Sequence, residues 1–260
     1  MVLTDNEHRR LMEAVTEIAD RAAEVILEIY ATDFEVRHKS DASPVTDADE
    51  RAEELILPAL LDLIPGVPAI GEEATSRGRT KTAIGRIFWL VDPIDGTKEF
   101  LSRSGEFTIN IALIEDSVPV IGVVVAPAMN QTFRACGPGT AERRDEAGVW
   151  KPIWVRNVPN EGATVVSSRS HGDPEKLRQL IEETRIRYHK TTGSSLKFCL
   201  VAEGTADIYP RYGPTSEWDT AAGHAVLLGA GGNVRLADGS ELPYGKMGWR
   251  NPDFIARGTE

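Results

Sequence analysis

A chain of 260 residues, 41% hydrophobic and 27% charged, can bury a sizeable core and has neither a disordered nor a membrane-embedded composition. Its 40 acidic against 29 basic residues leave a net charge of −11. That balance excludes a sequence-independent nucleic-acid binder, which needs basic surface to displace counterions, and disfavours attraction to an anionic membrane.

Two cysteines, Cys136 and Cys199, make no disulfide framework and lack metal-ligand spacing, so both are expected to be unpaired thiols, Cys199 in a helix core. Met1 to Glu7 shows no basic start before an apolar run, so no signal peptide is expected. No apolar run approaches bilayer length, and the expectation is a soluble cytoplasmic protein without a transmembrane segment.

In chain order, apolar Leu11, Ala14, Val15, Ile18, Ala22, Val25, Ile26 and Ile29 recur at helical spacing and predict a helix from Glu7 to Tyr30. Thr46-Asp47-Ala48-Asp49 has the form of a capping box and opens a second helix that Pro65-Gly66 stops. The continuous apolar run Ile87 to Val91 predicts a strand buried on both faces. Thr108–Ile114 and Val118–Ala126 are rich in β-branched residues and form a predicted hairpin. After a polar stretch at Glu142 to Asp145, strands are predicted at Ala163–Ser167, Ile186–Thr191, Ala206–Tyr209 and Phe254–Arg257. Helices are predicted at Pro174–Glu183, Ser194–Glu203 and Thr220–Leu228, so layered helix and sheet is the expected architecture.

The chemistry concentrates after the first buried strand, in Val91-Asp92-Pro93-Ile94-Asp95-Gly96-Thr97. Two carboxylates separated by a proline can turn to one side, and with the Ile94 carbonyl they make a set of hard oxygen donors suited to Mg²⁺. Gly96 permits close backbone approach, and amides near Gly96-Thr97 can hold a phosphate. A plain polar turn uses the same residue types. Further acids stand at the edges of apolar elements: Asp49, Gly71-Glu72-Glu73, and Asp219 before Thr220-Ala221-Ala222-Gly223. Asp49 and Asp219 would also serve as ordinary capping residues.

These three segments, Gly71-Glu72-Glu73, Asp92 to Thr97 and Trp218 to Gly223, resemble in order and spacing the signatures of the inositol monophosphatase-like phosphatases, and the likeness runs over nearly the whole chain. Lys98-Glu99-Phe100, Gly193 to Cys199 and Ala206 to Arg211 are similar to its 3′(2′),5′-bisphosphate nucleotidase branch. The resemblance implies an α/β fold of the alternating αβαβα sandwich type, shared with fructose-1,6-bisphosphatase. It also implies one phosphatase domain with two lobes, about 1–150 carrying most metal ligands and about 151–260 carrying Asp219 and the specificity residues.

By resemblance, Glu72, Asp92 and the Ile94 carbonyl would hold one Mg²⁺, and Asp92, Asp95 and Asp219 a second, with a third, weaker metal near Glu72 in some relatives. Thr97 would orient the attacking water and relay its proton to Asp49, since a free threonine hydroxyl is a poor base. Substrate would lie against Glu72, Ile94, Asp95, Gly96, Thr97 and Asp219, with Ser194, Lys197 and Arg211 contacting a small-molecule nucleotide. Lys197 and Arg211 would otherwise be a solvated helix residue and a surface-loop residue; His171 is a weaker candidate.

The implied reaction is Mg²⁺-dependent hydrolysis of the 3′-phosphate of 3′-phosphoadenosine 5′-phosphate to AMP and phosphate, as in nucleotide recycling during sulfur assimilation. Inositol monophosphates and sugar phosphates are the alternative substrates, and the resemblance leaves a homodimer and peripheral association with a membrane open. A haloacid dehalogenase-like phosphatase would place its second Asp two residues after the first; here it is three, with proline between. A non-catalytic acidic metal binder explains the aspartates but not Thr97 or Lys98-Glu99-Phe100. Gly229 to Gly232 follows a predicted helix and reads as its C-terminus rather than a dinucleotide loop, and the five tryptophans read as packing residues.

Overall fold

The computed structural model describes residues 3–38, 44–79, 84–169 and 172–259; His171 lies outside them. Helix α1 (Asp5–Tyr30) begins with a capping box in which Thr4 and Glu7 satisfy each other's backbone N–H, and it buries the stripe containing Val15, Ile18, Ala22 and Ile26. Strands β1 (Val36–His38) and β2 (Pro44–Thr46) pair antiparallel, and β2 leads into α2 (Asp47–Leu63). The capping box expected at Thr46 and Asp49 opens α2.

Next come β3 (Ala69–Gly71), α3 (Glu72–Ser76), β4 (Ile87–Asp95), α4 (Thr97–Leu101), β5 (Thr108–Glu115), β6 (Val118–Ala126), β7 (Gln131–Ala135), β8 (Glu142–Arg144) and β9 (Trp150–Pro152). The seven strands β3 to β9 form one sheet in sequence order, antiparallel except for the parallel β3–β4 pair. The second half adds β10 (Ala163–Ser168), α5 (Pro174–Glu183), β11 (Ile186–Thr192), α6 (Leu196–Ala202), β12 (Ile208–Arg211), β13 (Thr215–Ser216), α7 (Ala221–Gly229), β14 (Asn233–Leu236), β15 (Arg250–Asn251) and β16 (Phe254–Arg257). A five-stranded sheet runs in the order β11-β10-β12-β16-β14.

Strand alternation builds the layers. Trp89 and Val91 of β4 pack with the stripes of α1 and α2 on one face of the large sheet, while Phe88 and Leu90 face the opposite core. That second core takes in Phe198 of α6, Ala222 and Val226 of α7, and Tyr209 and Phe254 of the smaller sheet. On the far side of the smaller sheet, Leu177 and Leu180 of α5 pack with Val165 and Ile208. The result is the expected αβαβα sandwich, with α6 and α7 between the sheets. A Cβ on Gly122 of β6 would stand 2.3 Å from the Ala222 carbonyl oxygen, and one on Gly223 would stand 2.6 Å from the Phe198 ring, so both glycines permit this close central packing.

Several boundaries differ from expectation. α6 begins at Leu196 because Ser194 adopts φ +52°, outside the helical range. The strand expected at Ala206–Tyr209 lies at Ile208–Arg211, which puts Arg211 in a buried strand instead of a surface loop. The polar stretch at Glu142 is strand β8, its arginines held by Asp20 and Glu203. Among the described residues, no helix is long and apolar enough to cross a membrane.

Candidate active site

The acidic segment is a β-bulge within β4 rather than a free turn. Asp92 stands opposite Asn110 and Asp95 opposite Thr108, so three steps on β4 match two on β5. A regular strand would turn residues i and i+3 to opposite faces; the extra residue restores parity and presents both carboxylates on one side. Pro93 suits the bulge because it has no N–H to leave unpaired. Asp92 Oδ1 accepts from the Ile94 N–H at 3.0 Å. The Ile94 side chain packs into the α1–α2 core, which leaves its backbone to line the adjoining cavity. Gly96, at φ +94°, ends the bulge and precedes α4.

Glu72 reaches the same place by register. Gly71 of β3 pairs with Val91 of β4, so the chain leaves the sheet at Glu72 beside Asp92. Asp219 arrives from the other half, on the loop before α7, and its Oδ2 accepts from the Ser216 N–H at 2.8 Å. The α7 N-cap is Thr220, so Asp219 is not spent as the helix cap. Carboxylate oxygens of Glu72, Asp92 and Asp219 lie within 4.8 Å of one another.

These acids, with Ile94, Asp95, Gly96 and Thr97, open on one cavity of about 650 Å³. Burial raises the Asp219 carboxyl, and the charges of Asp95 and Glu72 add to that rise. Burial also raises Asp95, against the opposing pull of Lys197 and Arg211. A cluster of hard oxygens in mutual repulsion fits a divalent cation, which would remove the electrostatic cost of holding them together.

Asp49 is buried and does not line the cavity; its Oδ2 accepts from the Thr46 N–H and hydroxyl, each at 2.8 Å. Burial pushes its pKa up to about 7, with Glu73 and Glu72 contributing. The Thr97 hydroxyl donates to the Ile94 carbonyl at 3.4 Å.

The cavity has a cationic side. Lys197 is buried and donates to the carbonyls of Thr192 and Ser194, with burial lowering its pKa to about 8. Arg211 donates to the Pro214 carbonyl at 2.7 Å, while its buried Nε lacks a hydrogen-bond partner. Ser194 lines the same wall.

Sequence reasoning missed Trp249 and Arg250, which come from the far end of the chain and also line the cavity. Trp249 sits at φ +60°, an uncommon conformation for a bulky residue, and is in edge contact with Phe88 at 6.1 Å between ring centres. Reading the tryptophans as packing residues was therefore incomplete. Gly245 and Gly248, both at positive φ, mark a turn ahead of Trp249 and Arg250 but not its approach to the cavity.

The pattern of the Inositol monophosphatase family matches residues 7–256. The chain is 46% identical over 249 residues to the 3′(2′),5′-bisphosphate nucleotidase CysQ of Salmonella typhimurium, covering 94% of this chain and 98% of that protein. Identity to the protein of the same name from Escherichia coli K12 is 45% with the same coverage. Among solved structures, CysQ from Bacteroides thetaiotaomicron, a bacterial member of the inositol monophosphatase family, superposes with a TM-score of 0.79 at 35% identity, covering 96% of this chain and 97% of that one.

Proposed function

The chain belongs to the inositol monophosphatase family, and on that premise we propose that it is a metal-dependent 3′(2′),5′-bisphosphate nucleotidase converting 3′-phosphoadenosine 5′-phosphate to AMP and phosphate. The observation that carries this reading is one cavity holding both a carboxylate cluster, Glu72, Asp92 and Asp219, and the buried cations Lys197 and Arg211. A phosphomonoester with a single phosphate needs only the metal end. A second phosphate gives the cationic wall of Lys197 and Arg211 its purpose.

In this reading Glu72, Asp92 and the Ile94 carbonyl would hold one Mg²⁺, Asp92, Asp95 and Asp219 would hold another, and a third, weaker one could bind near Glu72. Mg²⁺ bound there supplies neutralisation of the phosphate charge and acidification of water. Thr97 orients the attacking water through its hydroxyl. Asp49, which does not line the cavity, would take the proton by relay through the Thr97 hydroxyl. Attack on phosphorus is direct, without an aspartyl-phosphate stage. We assign 1–150 and 151–260 to the two lobes that meet at this cavity, and the cytoplasm as the site of action.

Initial rates with 3′-phosphoadenosine 5′-phosphate, inositol 1-phosphate and fructose 1,6-bisphosphate, each with Mg²⁺ and with EDTA, test the proposal. The expected result is Mg²⁺-dependent release of phosphate and AMP at the highest kcat/KM of the three. A preference for the inositol ester, or an equal rate in EDTA, rejects it.

A further inference from the structure

Glu53 takes no part in the chemistry assigned above, yet it is a buried carboxylate one turn beyond Asp49 on α2. Its Oε2 accepts from the Glu73 N–H at 2.8 Å and its Oε1 from the Ala74 N–H at 2.7 Å. Those amides open α3, whose N-cap, Gly71, has no side chain to bond them. Glu53 therefore caps α3 from a neighbouring helix.

The fit extends to the glycine itself: a Cβ on Gly71 would lie 2.2 Å from Glu53 Oε2 and 2.5 Å from its Cδ. Gly71 is thus held on one side by pairing with Val91 in the sheet and on the other by the Glu53 carboxylate. The next residue is Glu72, and these two restraints set the direction in which its backbone leaves the sheet toward Asp92 and Asp219.

We propose that Glu53 is a positioning residue for the metal site: by holding the first turn of α3 against β4, it keeps Glu72 aimed at Asp92 and Asp219 before any metal arrives. This inference rests on the reading of Glu72 as a metal ligand. The same contact also explains the glycine of Gly71-Glu72-Glu73, a position where any side chain would displace the carboxylate that orients the ligand.

The test is calorimetric titration of the substrate-free protein with MgCl₂, alongside the Mg²⁺ dependence of turnover. Glu53→Gln keeps the shape but turns an amide NH₂ toward a backbone N–H. It is expected to raise the Mg²⁺ Kd by ~10-fold or more. The half-saturating Mg²⁺ for turnover should move equally, with kcat at saturating Mg²⁺ within about twofold of the parent.

A merely structural role would lower thermal stability without moving the Kd of the folded protein, and an unchanged Kd in folded Glu53→Gln overturns the proposal. Should that variant not fold, Gly71→Ala displaces the carboxylate while leaving Glu53 in the chain, and the same shift or its absence decides. Glu72→Gln is the control: if it too binds Mg²⁺ normally, the ligand assignment fails, whereas a weakened control beside a normal Glu53→Gln rejects the positioning role alone.

Discussion

The carboxylate of Glu217 is fully buried 2.8 Å from the Lys246 ammonium, and its oxygens also accept from the backbone N–H groups of Gly245 and Lys246 at 2.7 and 2.8 Å. Glu217 lies two residues before Asp219, so this contact ties the loop that ends at Trp249, just ahead of β15, to the loop bearing a candidate metal ligand. The Glu217 N–H completes the tie by donating to the Trp249 carbonyl at 2.8 Å. Removing the carboxylate leaves two backbone donors without their acceptor, while the Lys246 ammonium keeps the Pro243 carbonyl. Glu217→Ala is expected to cost about 3 kcal/mol in urea denaturation and to raise KM for the nucleotide.

Asp92 is the one acid shared between the two metal positions proposed here. Asp92→Asn keeps an oxygen able to accept from the Ile94 N–H but removes the charge. Turnover should fall by roughly a hundredfold or more, while thermal stability without metal holds or rises as carboxylate repulsion is relieved. Near-normal hydrolysis by a folded Asp92→Asn protein contradicts the shared-ligand role.

Thr97 offers a different separation of effects. Thr97→Ala deletes the hydroxyl that would orient water, yet leaves Glu72, Asp92, Asp95 and Asp219 in place. The expected outcome is a kcat loss of about 10²-fold with Mg²⁺ affinity nearly unchanged, and partial recovery in Thr97→Ser. Intact turnover with lost Mg²⁺ binding would contradict it.

Arg211 tests specificity. Its largely buried guanidinium stands in the cavity wall with one amino group held by the Pro214 carbonyl, placed to meet an anion in the cavity. Arg211→Ala should raise KM for 3′-phosphoadenosine 5′-phosphate by about tenfold or more while barely affecting 3′-AMP, which lacks the second phosphate. Equal losses on both substrates would place Arg211 elsewhere in the mechanism.

His224, outside the cavity lining, gives a pH prediction. It is buried in α7 with Nδ1 3.1 Å from the Tyr244 hydroxyl, and burial lowers its pKa from 6.5 to about 3. Below pH 6.5 the unfolded chain binds a proton that the folded ring refuses, so stability falls as pH drops from 6.5 toward 3. Between pH 6.5 and 4.5 this residue should account for roughly 2 kcal/mol of the loss. His224→Gln should remove that part of the slope in denaturant titrations; identical slopes would refute it.

Local chemistry was enough to read much of this molecule from its sequence. The stripes of α1 and α2, the capping box at Thr46 and Asp49, the β5–β6 hairpin and the acidic segment after a buried strand all depend on neighbours within a few residues. The short strands β14 and β15 were invisible because their backbone bonds are satisfied by partners distant in sequence, and β8, though it pairs with nearby β7 and β9, is too short and polar to show an apolar alternation.

The site divides in the same way. Which acids matter could be read from residue type and spacing, but not how they face one another. That required the bulge opposite Asn110 and Thr108, the β3–β4 register beside Glu72, and the loop carrying Asp219. Trp249, Arg250 and the Glu53 cap came only from the folded chain, since side-chain direction in a sheet changes with a one-residue shift and no local pattern records which distant loop closes over a cavity.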